Sequence, residues 1–333
     1  MSSGTDAQPL VTVALPTYPS EGRMGYLREA IESALGQTYR NFELVVSDNS
    51  MSPQVEEMVA SFEDPRLRYR HNGGDIGPIL NALAAYHDGD GPLVTTLFDD
   101  DLWEPGFLEA LVPPLVADPE LTMAFCDHWV IGADGTIDAD ATEVNTQLWH
   151  RDRLAPGVHR PFIDLAILDR AIPVGMGTVF RRSAIDWDDF PEQVFLYDLW
   201  LGYLAARDGG GAYYTPERLT RYRVHQGMMT SSTRYDVHAV YCYDRFLADP
   251  RTAPLRKEVL RESAGFHTGL GISLLEEGRA QEARRHLTWG LRHGQRKKAA
   301  VGLALSLLPV GRQASIERAR QLWRRQVGWA PQR

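Results

Sequence analysis

Cysteine is scarce in this chain: Cys126 and Cys242 are the only two among 333 residues. Two isolated thiols without metal-ligand spacing exclude a disulfide framework, so a reducing, cytoplasmic setting is the expectation. Long apolar runs are also missing. No stretch approaches the roughly 20 apolar residues that a membrane-spanning helix needs, and Met1 to Pro9 lacks a basic segment followed by an apolar one, so no secretory signal is expected. Lysine is nearly absent, three against 32 arginines. No folding rule demands that bias, and we read it as the mark of a GC-rich genome.

Net positive charge is lacking too, at -9 overall, but the charge is unevenly spread. Residues 281–333 hold twelve Arg and Lys against Glu282 and Glu317, a local +10, which leaves -19 on the 280 residues before them. An acidic body argues against a nucleic-acid partner, whereas the basic tail suits peripheral contact with an anionic membrane or a homodimer contact. With 44% hydrophobic residues the chain can bury a large core, or two smaller ones.

What is present begins with alternation. Leu10 to Leu15 is a β-rich run stopped by Pro16 and opening onto Thr17-Tyr18-Pro19-Ser20; Leu27, Ala30, Ile31, Ala34 and Leu35 follow helical spacing; Phe42 to Val46 is the next strand, ending at Ser47-Asp48-Asn49-Ser50. Helices are predicted over 53–62 and 78–86, with a short strand at 67–69 between them. This pattern predicts a mostly parallel α/β sheet, whose ligands bind beyond the carboxyl ends of the strands. Residues 121–137 predict a hairpin turning at Ala133-Asp134-Gly135-Thr136, and 140–170 a long excursion. Further on, a strand over 175–181, a helix from Leu199 to Ala206 and a last strand at Arg221 to His225 are predicted. A polar stretch follows from Gln226 to Thr233. From Val237 the strand signal stops, and helices are predicted over 237–247, 255–275, 280–291, 297–308 and 314–327. A boundary near residue 234 therefore divides a domain over 1–234 from a C-terminal all-helical domain over 235–333. Leu270 to Arg285 bears a faint similarity to a tetratricopeptide helix pair.

The most telling segment is the acid triplet Asp99-Asp100-Asp101, which ends the apolar run Leu93 to Phe98 and is followed by Trp103, Glu104 and Pro105. Three adjacent carboxylates repel one another and need protonation, open water or a cation. Mg²⁺ or Mn²⁺, held by one or two carboxylates plus the oxygens of a substrate diphosphate, answers that need and points to a nucleotide-linked substrate. A solvated acidic turn is the plainer alternative.

Several landmarks in order resemble the inverting glycosyltransferases of family 2, whose catalytic domain has the GT-A architecture. The first strand with its Thr17-Tyr18 loop, the helix ending in Gln37-Thr38-Tyr39, Phe42 to Asp48, Asn72-Gly73-Gly74 with Asn81, and Leu97 to Pro105 all match. The resemblance covers about two thirds of the chain. It implies a Rossmann-like GT-A sheet and transfer of a sugar from a UDP- or dTDP-linked donor to an acceptor hydroxyl, with slight preference for a small-molecule acceptor over a lipid-linked or cell-surface glycan. It implies Thr17, Tyr18, Asp48, Gly73, Asn81 and Asp99 at the nucleotide, and Asp100, Asp101 and His225 at a Mn²⁺ or Mg²⁺ ion. Registered on Trp103, Asp100 stands as the metal ligand and Phe98 occupies the place of a customary acid; a plain D-x-D reading puts Asp99 and Asp101 on one face instead. Asp198 is the expected base, with an ordinary helix N-cap as its alternative role. Arg221 and Arg223 are weaker candidates for phosphate contact. A sugar nucleotidyltransferase would need a G-x-G-T-R-like loop, which Leu15 to Pro19 lacks. A non-catalytic carbohydrate-binding or scaffolding protein is a third reading.

Overall fold

The computed structural model describes residues 8–18, 23–191, 196–225 and 232–307. In chain order the elements are β1 (Val11–Thr17), α1 (Met24–Leu35), β2 (Phe42–Asp48), α2 (Gln54–Ala60), β3 (Leu67–His71), α3 (Pro78–Asp88), β4 (Leu93–Thr96), β5 (Leu102–Trp103) and α4 (Phe107–Ala117). They continue with β6 (Leu121–Ile131), α5 (Ala139–Leu148), β7 (Gly157–His159), α6 (Ile163–Ile167), β8 (Thr178–Arg181), α7 (Tyr197–Ala206) and β9 (Gly211–Arg223). Four helices close the described chain: α8 (Ser232–Ala248), α9 (Arg256–Glu276), α10 (Ala280–Arg292) and α11 (Arg296–Leu305). Contacts gather these elements into two bodies, one holding every strand with α1 to α7, the other holding α8 to α11.

The strand order is β3-β2-β1-β4-β8-β6-β9-β5, with β7 paired to β9. The first four run parallel, as the alternation predicts, and β8 turns the sheet antiparallel beyond β4. One face of the parallel half is apolar: Val11, Val13, Leu44 and Val46 cluster with Leu27 and Ile31 of α1 and Val55 of α2. Register then aligns the strand tips. Thr17 pairs with Asp48, and Leu97 N donates to Ala14 O at 3.0 Å, so the acid triplet leaves the sheet beside Thr17.

The predicted hairpin is reduced to a tight turn. Only an isolated Ile131–Ile137 bridge follows β6, closed by the Asp134 side chain accepting from Thr136 N, because Asp138 then caps α5 by accepting from Ala141 N. The excursion is ordered by a buried ion pair. Arg151 donates from Nε to Asp127 at 2.7 Å and from Nη2 to Asn145 at 2.7 Å, anchoring the stretch after α5 to β6. The predicted helix at 314–327, the stretch 226–231 and Pro19-Ser20 lie outside the described residues.

In the helical body, Leu270 and Leu274 of α9 pack with Ala283 and Leu287 of α10 and Val240 of α8. Glycine makes the approach close: a Cβ on Gly271 would fall 2.6 Å from Leu287 Cγ, and one on Gly302 would fall 2.7 Å from Leu287 Cδ2.

Arg151→Met would leave the buried Asp127 carboxylate without its hydrogen-bonded cation, with Arg218 near it at 4.0 Å. We expect a loss of about 3–5 kcal/mol, read by denaturant unfolding; a loss below about 1 kcal/mol would show that the pair is not what orders the excursion.

Candidate active site

The carboxyl ends of β1, β2 and β4 supply the first part of the site. Thr17, the last residue of β1, donates from Oγ1 to Asp99 Oδ2 at 2.7 Å, and Tyr18 N approaches the same oxygen at 3.4 Å. Asp48 ends β2 fully buried, accepting from Ser50 N at 2.7 Å, Ser50 Oγ at 3.1 Å and Tyr69 Oη at 3.0 Å. Asn81 is buried as well. Its amide donates to Thr17 O at 3.1 Å and its Oδ1 accepts from Asn72, so it fixes the loop after β1 from beneath. Gly73, at φ 75°, follows Asn72 in a turn that a side chain would strain. Thr17, Tyr18, Asp48, Gly73, Asn81 and Asp99 thus gather near the tips of β1, β2 and β4, with Thr17, Asp48 and Asn81 buried.

The triplet itself points three ways. Asp99 faces the loop after β1. Asp101 is 1% exposed and accepts from Arg223 N at 2.9 Å. Asp100 faces outward, its Oδ2 3.0 Å from His225 Nε2. Burial and the neighbouring Asp100 charge push Asp99 up to about 6 against the bond from Thr17, and the same two causes hold Asp101 well above the usual carboxylate range. Among the described residues no three His, Cys, Asp or Glu side chains gather into a ready-made metal cage. The Asp100–His225 pair nonetheless fits a hard divalent ion, because Mg²⁺ and Mn²⁺ sites of this kind take few protein ligands and fill the remainder with phosphate and water.

Arginine builds the turn. Arg223, 1% exposed, donates from Nε to Asp100 O at 2.8 Å, from Nη1 to Ala133 O at 3.2 Å and from Nη2 to Glu29 at 2.6 Å, with its guanidinium over the Tyr26 ring. Arg221 pairs with Glu104 at 2.7 Å. Both are therefore committed to the protein scaffold, which corrects the expectation that they contact phosphate. Trp103 is likewise a packing residue, stacked on Phe107 and donating to Met176 O at 3.0 Å.

Asp198 lies in the first turn of α7, which begins two residues earlier than predicted, at Tyr197. It keeps an exposed face while protein surrounds the rest, and that desolvation pushes its carboxyl up to about 6. Burial raises the hydroxyl pKa of Tyr222, and the charges of Asp101, Asp100 and Asp198 raise it further. Sequence reasoning missed Tyr222 and the tie made by Arg223. Only the adjacency of both to His225 hinted at them.

The strand tips thus carry an outward Asp–His pair, with an acid on a helix that follows later in the chain. Residues 12–186 match the family described as Glycosyl transferase family 2. The chain belongs to that family and is a nucleotide-sugar-dependent glycosyltransferase. Asp198 and His225 fall beyond the matched span. The uncharacterized glycosyltransferase RT0329 of Rickettsia typhi is 25% identical over 229 residues, 67% of this chain and 67% of that protein. In fold the chain is similar to residues 1–349 of Staphylococcus aureus TarS, solved alone and with UDP-GlcNAc. For TarS alone the TM-score is 0.63 at 15% identity, covering 94% of this chain and 91% of that one. It is also similar to the mannosyltransferase PcManGT of Pyrobaculum calidifontis, solved with GDP-Man and Mn²⁺, with TM-score 0.56 at 19% identity, covering 96% and 88%.

A carboxyl raised to about 6 in the folded state is destabilising wherever it is ionised, so its contribution to stability is full below its unfolded value near 3.8 and is lost as pH rises through 6. Asp198→Asn should therefore melt above the wild type at pH 8 and level with it at pH 4. Calorimetry at the two pH values checks this, and a variant less stable at pH 8 would refute the desolvation.

Proposed function

We propose that the enzyme transfers a sugar with inversion from a UDP- or dTDP-linked donor to an acceptor hydroxyl, with Asp198 as base and Asp100 and His225 holding Mn²⁺ or Mg²⁺. The observation that carries this reading is the outward pair of Asp100 Oδ2 and His225 Nε2, 3.0 Å apart, beside the strand tip where Thr17 holds Asp99. A bound ion supplies Lewis-acid neutralisation of the charge on the departing diphosphate. Asp198 accepts the proton of the attacking hydroxyl; at neutral pH a pKa of about 6 leaves it mostly ionised yet more basic than an ordinary carboxylate.

The nucleoside end follows from the hydrogen bonds. A carboxylate offers about four lone-pair sites, and Asp48 already receives Ser50 N, Ser50 Oγ and Tyr69 Oη, so one remains for the N3–H of a uracil or thymine ring. Asp99, tied to Thr17, faces the ribose. Asn81 and Gly73 shape the loops rather than carry charge. Asp101, turned onto Arg223 N, supports the ion's place from beneath, which narrows the outward ligand set to Asp100 and His225. The UDP-GlcNAc of TarS and the GDP-Man and Mn²⁺ of PcManGT support a nucleotide-sugar donor and a divalent ion.

A small hydroxyl compound is our reading of the acceptor. The +10 charge of residues 281–333 favours a second one, a lipid-linked or cell-surface glycan reached by peripheral contact with an anionic membrane. Among the described residues no helix is long and apolar enough to cross a membrane.

Asp198→Asn should lower kcat about 10²–10⁴-fold while donor affinity stays within about twofold of wild type. Donor binding by calorimetry beside product formation decides it, and loss of donor binding would reassign Asp198 to the nucleotide pocket.

A further inference from the structure

We propose that Arg23 is a diphosphate-binding residue that shares Asp100 and His225 with the divalent ion and passes to the donor's phosphates when that ion is bound. The inference rests on the glycosyl-transfer reading above. Arg23 stands at the N-cap position of α1, at the end of the loop after β1. Its Nη2 lies 3.2 Å from His225 Nε2 and 3.9 Å from Asp100 Oδ2, and those two atoms are themselves 3.0 Å apart. Its charge also lowers the pKa of Asp99, so its field reaches across the outward part of the triplet.

A divalent ion at the Asp100–His225 pair draws on the same carboxylate oxygen and imidazole nitrogen that Arg23 faces. An imidazole nitrogen has one lone pair and cannot serve an N–H donor and a metal together. A dication is also the stronger partner for Asp100, and it repels the guanidinium. Displaced from the pair, Arg23 meets the donor's diphosphate, the anion that comes with the ion to the same place, and its planar fork matches phosphate oxygens. Arg221 and Arg223 cannot take this part, because Glu104 in one case and Asp100 O with Glu29 in the other hold them. The ion and Arg23 then flank the leaving group, and neither is redundant.

Two signs of effect test this on the purified full chain. With Mn²⁺ alone, followed by the electron paramagnetic resonance of the free ion, Arg23→Gln should bind about three- to tenfold more tightly than wild type. With UDP in the presence of Mn²⁺, the same variant should bind about tenfold more weakly, whereas uridine should bind both proteins alike and so report an intact fold. Arg23→Lys should keep wild-type Mn²⁺ affinity and recover part of the UDP affinity. Unchanged or weaker Mn²⁺ binding by Arg23→Gln would overturn the competition, and unchanged UDP binding would overturn the phosphate contact. A wild type that binds neither Mn²⁺ nor any of UDP, dTDP and GDP would remove the glycosyl-transfer reading itself, and this inference with it.

Discussion

Three carboxylates on consecutive residues cannot share one direction in a partly buried turn, and the rest of the site depends on how that repulsion is relieved. Each acid receives a different partner: Thr17 for Asp99, His225 for Asp100, the backbone N–H of Arg223 for Asp101. Arg223 is the common support. Its amide takes one acid, its Nε takes the carbonyl of the next, and its two remaining nitrogens reach Ala133 and Glu29 on separate segments. A guanidinium buried to this degree is tolerated because every face of it is hydrogen-bonded or stacked, with Tyr26 covering the plane. The triplet therefore presents one outward carboxylate, one anchor for the loop after β1 and one internal tie, instead of three equivalent acids.

Desolvation is the second constraint, and it acts in opposite senses on stability and chemistry. Asp99 and Asp198 both sit near 6 because protein has replaced water around them. Keeping such groups ionised at neutral pH weakens the fold, yet the same penalty makes Asp198 the better proton acceptor. Tyr222 and Tyr197 are drawn into the same field, their hydroxyls held protonated by burial and by the nearby carboxylates. Neutral phenols in this field do not add to the repulsion.

The parallel half of the sheet and the cluster at its tips were legible in the sequence because apolar runs ending in Thr17, Asp48 and the triplet are local signals, each carried by fewer than about ten residues. The direction of each acid was not legible. It depends on Thr17, His225 and Arg223, which stand 82, 125 and 122 residues away from their carboxylate partners, and no periodicity encodes such a pairing. The excursion after β6 was opaque for the same reason: its order rests on Arg151 reaching back 24 residues to Asp127. The start of α7 was misread because Tyr197 looks like the end of an aromatic run, whereas its place as the first helical residue puts Asp198 inside the helix rather than before it.

Phe98 links the acid triplet at the tip of β4 to the start of α7. It stands where the resemblance leads one to expect an acid, and its ring lies over Gly175, where a Cβ would approach within 2.3 Å, while its edge meets Tyr197 at 5.9 Å. Tyr197 carries Asp198 as its neighbour, and Met176, next to Gly175, accepts the indole N–H of Trp103. An acid at position 98 would have had to be desolvated among these apolar and aromatic groups beside two more carboxylates. With phenylalanine there, the acid nearest the nucleotide loop is Asp99, which has Thr17 to receive it, and the ring becomes a spacer that fixes α7 against the tip of β4. The departure at this position thus removes one charge from the crowded turn and adds one packing contact, with Tyr197, beside Asp198.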